Sequence, residues 1–225
     1  MNLAERYYLQ QAAAYVRGEL PLAGEQYPGA LSSLDHKALA GLLQIGKENG
    51  LKIYRFKKSR PLPRINKTIG ILRGVHPSSL LDIGTGRGVF LIPFLDIFPN
   101  LPITCIDLLE HRVRALHALK RGGMQNINPL MMDVTKLNFK AQQFDAVTAL
   151  EVLEHIADLA QAVSEICRVA KQHVLFSVPS KEDDNPEHIH LLTPEQLQPL
   201  FSQNGFGKIK VSHVHNHLIG LVARV

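Results

Sequence analysis

Tryptophan is absent, cysteine occurs twice, and aromatic residues make up only 6% of the 225 positions. Cys105 and Cys167 are too few for a disulfide framework or a thiolate zinc cluster, and each reads as a small core residue. No apolar run reaches the ~18–20 residues that cross a bilayer. The longest, Val89 to Phe98, is interrupted by Pro93 and Asp96, so no membrane span is expected. The opening MNLAERYYLQ lacks the basic-then-apolar layout of a secretion signal, and the chain reads as cytoplasmic. Internal repeats and low-complexity tracts are also missing. With 45% hydrophobic and 20% charged residues, the composition is that of a folded globular domain.

Acidic residues are missing from one stretch. Between Leu51 and Arg73 there is no Asp or Glu, while Lys52, Arg55, Lys57, Lys58, Arg60, Arg64, Lys67 and Arg73 are all present. The whole chain is only +5, so the remainder is net acidic. Tyr54 and Phe56 interleave with these cations as stacking groups, a pattern that suits phosphates or RNA and equally a solvated surface.

The first third reads as helical: Met1 to Arg17, then a loop with Pro21, Gly24, Pro28 and Gly29, then a helix capped by Ser33 and closed by Gly50. A further helix is expected over Arg64 to Arg73. From Pro77 strands and helices alternate. Strands are expected at Leu80–Ile83, Ile103–Ile106, Pro129–Met132, Ala146–Leu150 and His173–Val178. Helices are expected at Gly88–Phe98, bent at Pro93, and at Glu110–Lys120 and Ile156–Val169. That alternation predicts an α/β fold with a mostly parallel sheet covered on both faces. Thr193, Pro194 and Gln196 open a last helix as a capping box. Lys208–Val214 and His217–Val225 then form an antiparallel hairpin. The boundaries drawn are 1–63 for a helical and basic extension and 64–225 for the main domain.

The first strand runs into Asp82-Ile83-Gly84-Thr85-Gly86-Arg87-Gly88. Glycines there permit positive φ and close backbone approach, at the strand ends where open α/β sheets bind ligands. The spacing is G-x-G-x-G, not the G-x-G-x-x-G of a dinucleotide site. This loop, with Asp82 before it, resembles motif I of the class I S-adenosylmethionine-dependent methyltransferases, and the resemblance covers Ser79 to Val225. It implies a Rossmann-like fold with seven strands, the last antiparallel, and S-adenosylmethionine as cofactor. It further implies that Gly84, Thr85, Gly86 and Gly88 pack on the methionine half while Asp82 serves the amino group. Asp107, 19 residues after Gly88, would accept the ribose hydroxyls. Leu108 would flank the adenine, with Asp133 and Val134 beside its amino group. Asp107 and Asp133 also fit helix-cap or turn positions.

After the fourth strand comes Glu151-Val152-Leu153-Glu154-His155. On a helix starting near Glu151, these two acids and His155 would share a face and offer ligands to Mg²⁺ or Mn²⁺. The stretch resembles E-x-x-E-H of the ubiquinone-biosynthesis O-methyltransferases and of the small-RNA 2′-O-methyltransferases. The resemblance implies a metal held by Glu151, Glu154, His155 and a distal histidine, here His190 in the run Asp183 to His190. The alternative gives Glu151 to the cofactor and leaves His155 and His190 structural. Glu154, His155 and His217 are the candidate catalytic residues; His213, His215 and His217 alternate as strand residues do.

The function expected is O-methylation of a small hydroxylated metabolite. The alternatives are metal-assisted RNA 2′-O-methylation, an NAD(P)-dependent oxidoreductase and a non-catalytic cofactor-binding protein. The sequence leaves the oligomeric state open.

Overall fold

Short strands made almost wholly of buried apolar residues, such as Leu80–Ile83, are stable only with helices on both faces. The computed structural model, which describes residues 6–58, 62–181 and 184–225, has that arrangement. Strands β1 (Leu80–Ile83), β2 (Ile103–Asp107), β3 (Ile127–Met131), β4 (Phe144–Leu150), β5 (Ala170–Pro179), β6 (Lys210–Val214) and β7 (His217–Ala223) form one sheet. Its order is β3-β2-β1-β4-β5-β7-β6. The pairings among β1 to β5 are parallel, and β7 runs antiparallel to both β5 and β6. The chain leaves β1 toward β2 and β3, then returns to β4 on its other side, so a crevice opens beyond the carboxyl ends of β1 and β4. The α/β class, the seven strands and the antiparallel last strand are as expected from the sequence.

Several local expectations change. The first described helix is Leu9–Glu19, and Pro21–Gln26 is a short helix instead of a loop. Helix His36–Glu48 is capped by Asp35, whose Oδ1 accepts from Ala38 N at 2.8 Å. Ser33 lies in the preceding 3-10 turn and donates to the Ala30 carbonyl; both residues are good caps, and the chain direction after Leu34 favours the later one. Pro93 lies in the first turn of helix Leu91–Ile97, where a missing N–H removes no bond that the helix makes internally. Thr193 and Gln196 form the expected capping box on helix Pro194–Gln203. Both cysteines are buried, which pushes the Cys167 thiol up to about 12 and Cys105 well above its ordinary value. No helix among the described residues is long and apolar enough to cross a membrane.

Residues of the N-terminal third share a hydrophobic cluster with the sheet domain: Ala12, Val16 and Phe56 belong with Leu80, Leu116 and Leu119. Helix Leu9–Glu19 crosses helix Glu110–Arg121 at backbone contact, through glycine on each side. A Cβ at Gly18 would lie 1.8 Å from the Ala118 carbonyl oxygen, and one at Gly122 1.7 Å from that of Ala14. Residues 6–8 then pair with 56–58, through a Tyr7–Lys57 bridge and the bonds Tyr8 N to Phe56 O and Lys58 N to Arg6 O. This short ladder carries the basic segment to the outer side of the glycine loop. Of its eight cations, Arg60 lies outside the described residues.

Candidate functional site

The loop after β1 turns on three left-handed glycines, Gly84, Gly86 and Gly88, with φ of 65°, 60° and 82°. A side chain at Gly84 would also meet Val152 Cγ2 at 2.5 Å, so this position needs glycine for both space and conformation. Thr85 fixes the turn by donating its backbone N–H to Ile106 O and its hydroxyl to Asp82 O. The result is an open backbone cradle at the switch point of the sheet.

Asp82 is only 2% exposed. Its Oδ1 accepts from Thr148 Oγ1 at 2.7 Å, and its Oδ2 makes no hydrogen bond among the described residues. Burial pushes this carboxyl up to about 6, against the Thr148 and Thr85 hydroxyls, with the negative charge of Asp107 adding to the rise. A buried acid with one oxygen unsatisfied at the edge of a cavity suits a cationic ligand group such as an ammonium. The sign of the pH effect follows. In the free protein, ionising Asp82 costs stability as pH rises from 3.8 to about 6. A ligand ammonium binds the ionised form, so affinity rises over the upper part of that range. For S-adenosylhomocysteine, titration calorimetry should find roughly tenfold weaker binding at pH 5 than at pH 7, and Asp82→Asn should flatten the profile. Equal affinity at both pH values would exclude this role.

Asp107, at the end of β2, is 4% exposed. Its Oδ2 accepts from Gly86 N at 2.8 Å and its Oδ1 from Leu109 N at 2.9 Å, and Arg112 lies 3.6 Å away. The acid therefore ties the glycine loop to β2 as well as facing the cavity. Asp133 folds back on its own turn, accepting from both the N–H and the hydroxyl of Thr135. Exposed Leu108, Asp133 and buried Val134 line a cavity of about 430 Å³ together with Asp107 and Gly84. A second cavity of about 200 Å³ holds Asp82, Thr85, Gly86 and Arg64. The two meet at Gly84 and Glu151, which line both. Gly88 lies outside both and faces the neighbouring chamber toward Tyr8 and Arg55. A larger cleft of about 720 Å³, beside Arg17 and Arg121, contains none of the loop residues.

The segment after β4 is not the helix expected from Glu151. Glu151 takes a left-handed conformation, φ 56°, and only Leu153–His155 form a 3-10 turn. The two acids thereby part. Glu151 accepts from Ser177 Oγ at 2.6 Å and pairs with His217 Nε2 at 2.9 Å, a link from the end of β4 to the start of β7. Non-glycine residues held at positive φ concentrate at functional sites. Glu154 is fully buried, and its carboxylate groups with His155 and His188, ligand atoms lying within 4.8 Å of one another. His155 Nδ1 lies 2.8 Å from the Glu187 carbonyl, so Nδ1 donates and Nε2 is the nitrogen left for a metal. His190 turns away, its Nε2 donating to Ile156 O at 3.1 Å. His188 thus stands where His190 was expected, and Glu151 is not among the three. Asp183 falls outside the described residues. His213 is exposed on β6 and His215 sits at φ 52° in the β6–β7 turn, so His217 alone of that trio joins the site.

Sequence reasoning missed Arg64, Arg112, Ser177 and His188. Arg64 was visible only as one cation among eight, and no spacing rule joins Ser177 or Arg112 to the loop.

Residues 81–178 match the family model described as a methyltransferase domain. A ubiquinone biosynthesis O-methyltransferase of Idiomarina loihiensis is 30% identical over 118 residues, 49% of this chain and 47% of that protein. A ribosomal RNA small subunit methyltransferase G of Streptococcus suis is 41% identical over 82 residues, 34% of each chain. The chain spans less than half the length of the curated relatives it matches. Among solved structures, the methyltransferase domain of bacterial CtHen1-C superposes with a TM-score of 0.62 at 18% identity, covering 72% of this chain and 97% of that one. Sheet order, glycine cradle, strand-end acids and family match agree: residues 81–178 carry a methyltransferase domain.

Proposed function

We propose that this protein transfers a methyl group from S-adenosylmethionine to an oxygen of a small hydroxylated metabolite. The observation that carries this reading is the buried Asp82 carboxylate, one oxygen unpaired among the described residues, beside the left-handed glycine loop. The residues fit the cofactor. Asp82 would take its ammonium and Arg64, lining the same cavity, its carboxylate. Asp107 has lone pairs left for ribose hydroxyls, while Leu108, Asp133 and Val134 would surround the adenine. When bound, the cofactor supplies an activated methyl group on a sulfonium, with a good leaving group.

The chain's own contribution is orientation and proton removal. Glu151, fixed by Ser177 and His217, lines both cavities where they meet. The Glu151–His217 pair would accept the proton of the acceptor hydroxyl. The remaining acceleration would come from alignment in a cavity shielded from water. The first 63 residues would act as an extension that walls the acceptor side. Similarity to O-methyltransferases supports oxygen as the methylated atom.

Thermal shift separates this reading from an NAD(P)-dependent oxidoreductase. S-adenosylhomocysteine should raise the melting temperature and NAD should not. No stabilisation by S-adenosylhomocysteine would end the reading. A non-catalytic binding protein would be stabilised yet give no methyl transfer across a panel of catechols and phenols.

A divalent cation fits the second cluster, where Glu154, His155 and His188 offer one oxygen and two nitrogens. There it would supply a positive charge that favours the ionised acceptor oxygen. Excess EDTA should lower turnover at least tenfold and Mg²⁺ or Mn²⁺ restore it, whereas Glu154→Gln should lose the metal response. Full turnover in EDTA would remove the cation from the mechanism.

A further inference from the structure

Beside the glycine loop, on its outer side, lies a chamber of about 290 Å³ with Tyr8, Arg55 and Lys57 on its walls. Ile65 and Val89 line this chamber and also the cavity that holds Asp82 and Glu151, so the two spaces are neighbours. The ladder between residues 6–8 and 56–58 fixes the cationic wall against the main domain.

Arg55 is already held in place. Its guanidinium lies over the Tyr15 ring, 4.9 Å from the centroid, and its Nε donates to Lys52 O. Its two terminal nitrogens make no hydrogen bond among the described residues. Neither Arg55 nor Lys57 has a carboxylate within 4.0 Å among those residues, whereas the adjacent Lys58 is paired with Asp96. A fixed guanidinium and an ammonium without counter-ions among the described residues, facing a small cavity, form a receptor for an anion.

We infer that this chamber seats an anionic group, phosphate or carboxylate, carried by the methyl acceptor, with Arg55 and Lys57 as its specificity-determining residues. The inference rests on the methyl-transfer reading, since it makes the chamber the far end of the acceptor site. A volume of about 290 Å³ suits one charged group with an attached ring, and the observations favour a small acceptor over a polynucleotide strand.

The test uses the whole protein saturated with S-adenosylhomocysteine, which keeps added anions off the glycine loop. Phenyl phosphate, benzoate and phenol are titrated by calorimetry. At least one anion should bind tenfold or more tightly than phenol, the span expected for charge-assisted hydrogen bonds. The order of phosphate and carboxylate identifies the group. Arg55→Ala with Lys57→Ala should weaken the anion at least tenfold and leave S-adenosylhomocysteine affinity within threefold. Lys57→Glu, at an exposed side chain that leaves the Tyr15 contact intact, serves if the double variant does not fold. Phenol binding as tightly as both anions, or anion affinity unmoved by these variants, would overturn the inference. So would an oligouridylate that binds more tightly than phenyl phosphate and responds to Lys52→Glu with Lys67→Glu but not to Arg55 and Lys57; that result would favour RNA. Failure of the methyl-transfer reading is read separately, as absence of S-adenosylhomocysteine binding to the unmodified protein. The anion titrations can still be run without it.

Discussion

Gly122→Ala is expected to lower stability by about 3 kcal/mol, the upper end for overpacking a close contact, and the melting temperature by roughly 6–12 °C for a chain of this size. The cause is not backbone strain, because Gly122 has φ −77°, which alanine adopts readily. The added methyl would meet the Ala14 carbonyl oxygen at 1.7 Å, and that atom belongs to a helix backbone. The two helices must separate by more than an ångström, which loosens the part of the hydrophobic cluster that holds Ala12, Val16, Leu116 and Leu119. Gly70→Ala is the control. Gly70 lies exposed in helix Pro63–Val75 with nothing near its missing Cβ, so alanine there should be neutral or stabilise by up to ~1 kcal/mol. If both variants melt with the unmodified protein, the glycine-mediated crossing is not as described. Because the same seam carries residues 6–8 and hence 56–58, Gly122→Ala should also weaken anion binding in the Arg55 chamber.

Asp107→Ala should weaken S-adenosylhomocysteine binding at least 100-fold, measured by calorimetry, and should lower thermal stability as well. This carboxylate accepts two backbone N–H bonds from different segments, Gly86 and Leu109, and lies beside Arg112. Charge-assisted bonds of this kind contribute roughly 1.5–3 kcal/mol each. Losing them releases the loop from β2 while also removing the proposed acceptor of the ribose hydroxyls. Asp107→Asn keeps one carbonyl oxygen but turns an amide N–H₂ toward the other donor, and should fall between the two. An alanine variant that binds within threefold of the unmodified protein would mean that the loop is held in shape without Asp107 and that the ligand does not use it. The Asn variant guards against misreading a folding defect, since it preserves the volume of the side chain.

The strand-and-helix alternation after Pro77, the glycine loop and the Thr193 capping box were all legible because each depends on neighbours within a few residues. Asp82 and Asp107 were legible as strand-end acids, but their behaviour was not. The oxygens of Asp107 serve the protein's own backbone as well as the cavity, and one oxygen of Asp82 is taken by Thr148 on β4, 66 positions away. The Ser33 and Asp35 choice shows a different limit. Two adequate caps stood within three residues, and only the path of the chain chose between them.

Local spacing by itself determined the α/β class, the glycine loop and the order of the elements, because turns, caps and buried strands are written in short-range patterns. The sheet order and the course of irregular loops decided the rest: Glu151 facing His217 instead of Glu154, His188 standing in for His190, and Arg64 and Arg55 drawn to opposite sides of Ile65 and Val89. Such partners lie on segments with no shared period. Their meeting depends on which strand ends adjoin and on a single left-handed residue at position 151, and neither is set by the residues nearby.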